Sequence, residues 1–264
     1  MRNIKLTLEY DGTNYCGWQV QNDRQRTETR EQKPENRIRF KKRAIQEVIE
    51  KALQRILQEK IKIIASGRTD SGVHASAQVA NFRTKSKIPP QNIRRALNTY
   101  LPDDIAVINI EEIPLKFHSR FDARSKAYRY TILNRENPSA LCRDFACHIR
   151  RKLDFNLMKR ESRCLVGKHN FKSFQAQDKK EMASVRTIKR LRLSRSGDFI
   201  NIEIEADGFL YNMVRNIIGT LVEIGRGRIK KGELKKILSA KNRKLAGPTA
   251  PAKGLCLIEV NYGK

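Results

Sequence analysis

Acidic residues are in short supply. The 264 residues hold 28 Asp and Glu against 55 Lys and Arg, a formal charge of +27. So large an imbalance implies a polyanionic partner, because cationic side chains gain affinity by releasing counterions condensed on phosphates. Long apolar runs are missing too. None approaches the roughly 20 residues that a membrane-spanning helix needs, and the opening MRNIKLTLEYDGT lacks the apolar centre of a secretory signal. The chain is therefore expected to be soluble and cytosolic, with no membrane partner and with nucleic acid as the first candidate. The five cysteines (Cys16, Cys142, Cys147, Cys164 and Cys256) are odd in number and scattered, which argues against a disulfide framework. There is no C-x-x-C pair and the four histidines lie far apart, which argues against a structural metal. The same gap excludes the zinc nucleobase deaminases, whose H-x-E and P-C-x-x-C elements are absent. What remains is a chain that is 39% apolar and long enough to bury a core as one large domain or two modest ones.

Periodicity sketches the layout. Ile4, Leu6, Leu8 and Tyr10 alternate as an opening strand that ends at Asp11 and Gly12. From Asn22 to Arg43, nine Lys/Arg and four Asp/Glu come with little apolar periodicity, the pattern of a solvated loop or insertion. Ile45, Val48, Ile49, Ala52, Leu53, Ile56 and Leu57 then mark an amphipathic helix. Strands are expected near 61–66 and 78–83, bracketing a Gly-rich loop at a sheet edge. Another is expected at 105–110. Further strands read from 127–133, 189–195, 200–206 and 255–262, with Ser196-Gly197-Asp198 as a hairpin turn and a helix over 209–225. Strands and helices mix without βαβ repetition, so the fold class is α+β, in two sheet-and-helix halves divided near residue 112 (1–112 and 113–264). A second basic cluster, nine Lys/Arg between Arg226 and Lys244 against the single acid Glu233, follows that helix and is a candidate grip for phosphates.

The stretch 66-SGRTDSGVHA-75 places Asp70 between glycines, two residues after Arg68. An Asp in such a loop serves readily as a turn former. A functional role needs a partner: a carboxylate beside a guanidinium stays ionised, which suits a nucleophile or a base. A protein that only grips RNA gains little from a carboxylate that repels phosphate, so catalysis is favoured.

Six ordered blocks carry a resemblance over nearly the whole chain: 10-YDGTNYCGWQVQ-21, 67-GRTDSGVHASAQVANF-82, 117-FHSRFDARSKAYRY-130, 169-HNFKSF-174, 208-GFLYNMVRNIIGTLVEIG-225 and 249-TAPAKGLCLIEVNY-262. On these the sequence resembles the tRNA pseudouridine synthase A family. The resemblance implies the pseudouridine synthase fold, two α+β halves with joined, mostly antiparallel sheets and a central cleft. It also implies isomerisation of uridine to pseudouridine in the tRNA anticodon arm at positions 38, 39 and 40, a homodimer, and no cofactor. The target base must leave its stack to reach a pocket. By resemblance Asp70 is the catalytic aspartate, acting on ribose or base, and Arg68 fills or guards the vacated position. Tyr128 contacts the flipped uracil, with Tyr130 pointing the same way; Arg215 pairs with the catalytic carboxylate, and Leu255 walls the pocket. His74 and His118 are assigned structural or RNA-contacting roles. The basic 22–43 segment is longer than the family's usual link. The readings from other classes are a non-catalytic basic RNA-binding protein and a pseudouridine synthase acting on another RNA.

Overall fold

The computed structural model describes residues 1–19, 42–176 and 183–263, and its described residues form one ten-stranded, mostly antiparallel sheet with five α-helices. The basic stretch expected to be loop or insertion lies almost wholly outside them. The sheet is built on β1 (Arg2–Tyr10), which pairs antiparallel with β3 (His74–Thr84) on one side and β4 (Ile105–Ile113) on the other. β3 in turn neighbours β10 (Leu255–Asn261), parallel to it through Cys256↔His74 and Leu257↔Ala75. β10 pairs antiparallel with β5 (Ser125–Leu133), and the sheet continues through β9 (Phe199–Ala206), β8 (Val185–Ser196) and β7 (Gly167–Asn170). Two short strands, β2 (Ile64–Ala65) on β3 and β6 (Cys147–His148) on β5, complete it.

The α+β expectation holds, and the helix from Ile45 is α1 (Ile45–Leu57), which buries Ile45, Val48, Ile49, Ala52, Leu53 and Leu57. Each such aliphatic side chain contributes about 1.5–3 kcal/mol by leaving water. The hairpin turn also stands where the sequence puts it, with Gly197 at φ +55° between β8 and β9. Three further helices carry patterns too short to read: α2 (Pro90–Tyr100) buries only Ile93 and Leu97, α3 (Phe155–Ser162) only Met158 and Ser162, and α5 (Glu233–Ala240) Leu234, Ile237 and Leu238. The helix expected over 209–225 starts later, as α4 (Met213–Gly225), because Asn212 adopts a left-handed φ of 57° that interrupts helical backbone. The loop 66–73 does not lie at a lateral edge of the sheet. Its strand β3 is interior, since β10 returns from far along the chain to cover its flank.

α4 is buried almost all round, from Met213 to Gly225, and packs against the segment 246–250. Closeness there is set by Gly219: a Cβ built on it would stand 1.7 Å from the Pro248 carbonyl oxygen. Arg243 ties the same segment down, donating to the carbonyls of Ala246 and Gly247 and to Asn216 Oδ1 and Thr249 Oγ1. No helix among the described residues is long and apolar enough to cross a membrane.

Candidate active site

The loop 66–73 runs from β2 to β3 over the middle of the sheet, and nearly every residue of it is tied. Ser66 Oγ donates to Gln78 Oε1 at 2.7 Å, while the Gln78 amide nitrogen donates to the Gly67 carbonyl at 3.0 Å. Gln78 is fully buried on β3. Thr69 Oγ1 and the Tyr10 hydroxyl lie 2.8 Å apart, and the Thr69 carbonyl accepts from the Trp18 amide at 3.0 Å. Ser71 Oγ donates to the Tyr15 carbonyl at 3.0 Å, and the Val73 amide closes a turn onto the Asp70 carbonyl at 3.1 Å. A buried unpaired polar group costs about 1–3 kcal/mol, so this lattice of bonds holds the loop in one shape. Arg68 is the exception: its side chain is exposed and makes no hydrogen bond or ion pair among the described residues.

Asp70 therefore has a different partner from the one its sequence neighbours suggest. Arg68 does not pair with it; Arg215 does, Nη1 standing 3.4 Å from Asp70 Oδ2. The physical reason is that the tied loop turns the Arg68 side chain outward while Arg215 reaches in from the first turn of α4. Two further bonds aim the Arg215 guanidinium, from Nε to the Ala250 carbonyl at 2.7 Å and from Nη1 to Asn212 Oδ1 at 3.1 Å. At 3.4 Å the contact with Asp70 is long for a charge-assisted bond, and Asp70 Oδ1 has no partner among the described residues. Burial raises the Asp70 pKa and outweighs the opposing charge and hydrogen bond of Arg215. The arginine favours the ionised form, as the sequence led one to expect, but burial opposes it and leaves the carboxyl above its ordinary value of 3.8.

Tyr128 stands near enough for the charge of Asp70 to act on it, and Leu255 lies on the neighbouring strand opposite Tyr130. Tyr128 is 8% exposed, its ring meeting Phe209 edge-on at 5.2 Å, and its hydroxyl has no hydrogen-bond partner among the described residues. Burial pushes that hydroxyl's pKa up, with Tyr10 and Asp70 adding to the effect. Leu255, 5% exposed, opens β10. Tyr130, which by alternation shares the face of Tyr128, is a core ring: it is fully buried, and its hydroxyl donates to the Pro251 carbonyl at 2.9 Å. His74 is structural. Its Nε2 faces the carbonyls of Asp144 and Lys253, and its Nδ1 accepts from the Gly12 amide at 3.1 Å. His118 Nδ1 accepts from the amides of Arg120 and Phe121, shaping a tight turn.

The basic cluster after α4 is less free than its composition suggests. Glu223, within the helix, holds both Arg226 at 2.8 Å and Arg228 at 3.0 Å; Lys236 pairs with Glu233 and Arg243 serves the 246–250 segment. Two residues that shape the Asp70 loop escaped attention in the sequence. Gln78 was legible only as a polar residue on an inward strand position. Lys126 had a better signal, since it stands two residues before Tyr128 on an alternating strand and so shares its face.

The arrangement offers a half-buried carboxylate with one oxygen unpaired among the described residues, an arginine to balance its charge, and a buried aromatic ring nearby. If chemistry needs Asp70 ionised, activity should fall in acid with an apparent pKa above the ordinary aspartate value. Because Arg215 lowers the Asp70 pKa, Arg215→Gln should move this acid limb of kcat/KM to higher pH. Profiles of wild type and variant with coincident limbs would disconnect the two residues.

A profile described as tRNA pseudouridine synthase matches residues 7–122 and 162–263. Over 262 residues, 99% of this chain and 100% of the relative, the sequence is 46% identical to tRNA pseudouridine synthase A 2 of Clostridium perfringens. With the same coverage it is 44% identical to tRNA pseudouridine synthase A of Acetivibrio thermocellus and 43% identical to that of a Thermoanaerobacter species.

Proposed function

Because this chain belongs to the tRNA pseudouridine synthase family, we propose that it isomerises uridine to pseudouridine in the anticodon arm of tRNA, at positions 38, 39 and 40, with Asp70 as its catalytic carboxylate. The observation that carries the assignment of Asp70 is its pairing with Arg215 on a loop otherwise fixed bond by bond. The reaction breaks the bond between ribose C1′ and uracil N1, turns the retained base and rejoins it through C5; C5 gives up its proton and N1 takes one up, so that product and substrate are isomers. A single carboxylate serves either route, attack on the ribose or on the base, and the free Oδ1 is the oxygen available for it. Arg215 balances the charge without occupying that oxygen. Tyr128 receives the flipped uracil against its ring, and Leu255 completes the apolar wall that keeps water from the separated fragments. Arg68, exposed and unpaired among the described residues beside Asp70, is free to enter the space the base leaves or to meet a phosphate.

We further read the chain as two halves meeting near residue 112, supported by β1, β3 and β4 all coming from residues 2–113. It works as a cytoplasmic homodimer. Mapping of pseudouridine in tRNA from cells with and without the gene tests the substrate: loss at 38 to 40 is expected, and unchanged levels there would overturn the assignment.

Stacking gives a graded test. Tyr128→Phe keeps the ring and loses a hydroxyl that has no partner to strand, so most activity should survive. Tyr128→Ala should lose about 1–3 kcal/mol of base contact. Single-turnover rates on an anticodon-arm RNA read the order, and indistinguishable rates for the three enzymes would place Tyr128 outside the pocket.

A further inference from the structure

Lys126 stands in the middle of a ten-stranded sheet with no acid to neutralise it. Its cross-strand neighbours are Val260 on β10 and Ala206 on β9, and among the described residues it forms no ion pair. By alternation its side chain shares a face with Tyr128, on the side of the sheet where the Asp70 loop lies. The Nζ instead donates a short hydrogen bond to the backbone carbonyl of Ser66, the residue from which the Gly67-Arg68-Thr69-Asp70 turn departs. Gly67 lies close beside it: a Cβ there would stand 2.8 Å from Nζ. Buried charges are ordinarily paired. Placing a lysine here without a carboxylate carries a cost that burial and Arg120 make visible, lowering its pKa to about 8, so at neutral pH it is still mainly an ammonium.

We infer that Lys126 is a positioning residue for this reaction, its ammonium clamping the Ser66 carbonyl and thereby setting where Asp70 meets the nucleoside. This rests on the reading of Asp70 as the catalytic carboxylate. The other bonds of Ser66 point back into the protein, from its hydroxyl to Gln78 and from its amide to Val79. Lys126 supplies a hydrogen bond made from β5, the strand that also carries Tyr128. It therefore couples the position of the carboxylate to the position of the ring, two groups that must close on opposite sides of one base. A misplacement on the order of 1 Å is enough to cost about 100-fold in rate.

The test uses Lys126→Met, which keeps the aliphatic stem and removes the donor, and Lys126→Arg, which restores one. In Lys126→Met, kcat at saturating tRNA should fall about 10- to 100-fold, with the tRNA dissociation constant little changed. In the RNA-free protein, amide hydrogen exchange should rise about tenfold in the peptide spanning residues 64–73 and stay unchanged elsewhere. Lys126→Arg should recover a large part of both effects. If Lys126 instead grips an RNA phosphate, affinity and its salt dependence will weaken while loop exchange and kcat stay as in wild type, and the inference fails. It fails too if exchange rises throughout the chain, or if Arg rescues nothing. Should an Asp70→Asn enzyme prove active, the Asp70 assignment falls, while the exchange measurement on the RNA-free protein still decides whether the clamp exists.

Discussion

Asp70→Asn is expected to reduce pseudouridine formation by about four orders of magnitude or more, with tRNA affinity nearly intact and thermal stability at least that of wild type. The first part follows from chemistry, since the amide keeps the size and turn-forming capacity of Asp but can neither attack nor accept a proton. The second follows from geometry: the loop is held by Ser66, Gly67, Thr69 and Ser71, none of whose bonds involves the Asp70 side chain. The third comes from the sign of the pKa shift. Burial places the folded pKa of Asp70 above its unfolded value, so its ionised form opposes folding at any pH above the folded pKa. That penalty is relieved as pH falls through it. Asn carries no such charge, and Arg215 retains acceptors at Ala250 and Asn212. Rate, filter-binding affinity and melting temperature together check this. A variant that still turns over would return Asp70 to turn-forming, whereas one that melts well below wild type would show that the carboxylate is structural.

Gly219→Ala should destabilise by about 3 kcal/mol or more, although in an ordinary helix interior the same change stabilises by about 1 kcal/mol. The sign reverses because the new methyl would lie 1.7 Å from the Pro248 carbonyl oxygen. Neither side can yield cheaply. α4 is enclosed on nearly every face, and the 246–250 segment is held by the four hydrogen bonds of Arg243 and by the Gly247 amide on Thr220 Oγ1. What gives way reaches the candidate site, because the Ala250 carbonyl aims Arg215. Denaturant unfolding should show the loss, and turnover of the surviving folded fraction should fall as well. A variant as stable as wild type would mean that helix and segment are not in close contact.

The sequence declared its long, strongly patterned elements and its chemistry better than its connections. α1 and the β8–β9 hairpin were legible because thirteen residues of helical spacing, or a Ser-Gly-Asp turn between alternating strands, leave few alternatives. α2, α3 and α5 were not, since each shows the core only two or three side chains, too few for a period to emerge. Asp70 and Arg215 could be singled out by motif, and the resemblance named Arg215 as the partner, whereas proximity in sequence alone pointed to Arg68. Which of two guanidiniums meets a carboxylate is decided by how a loop is tied, and those ties come from Gln78, Tyr10, Trp18 and Lys126, residues distributed over three separate parts of the chain. The composition of the Arg226–Lys244 cluster misled in the same way. Glu223 lies just outside that window and absorbs two of its charges.

The place of β10 between β3 and β5 has a consequence in time. β3 is complete by residue 84 and β5 by residue 133, but the strand that joins them begins only at residue 255. Until it inserts, Leu255 is missing from its place, the flank of β3 next to His74 is an open edge, and Tyr128 has no neighbour on one side. An emerging chain can thus assemble β1, β3 and β4 early, while the residues of the proposed pocket come together only by a closure spanning some of the longest sequence separations in the molecule, the slowest kind of contact to make. Catalytic competence is in this sense the final act of folding, and a nascent chain that already exposes its basic surface to RNA has as yet no pocket in which to modify it.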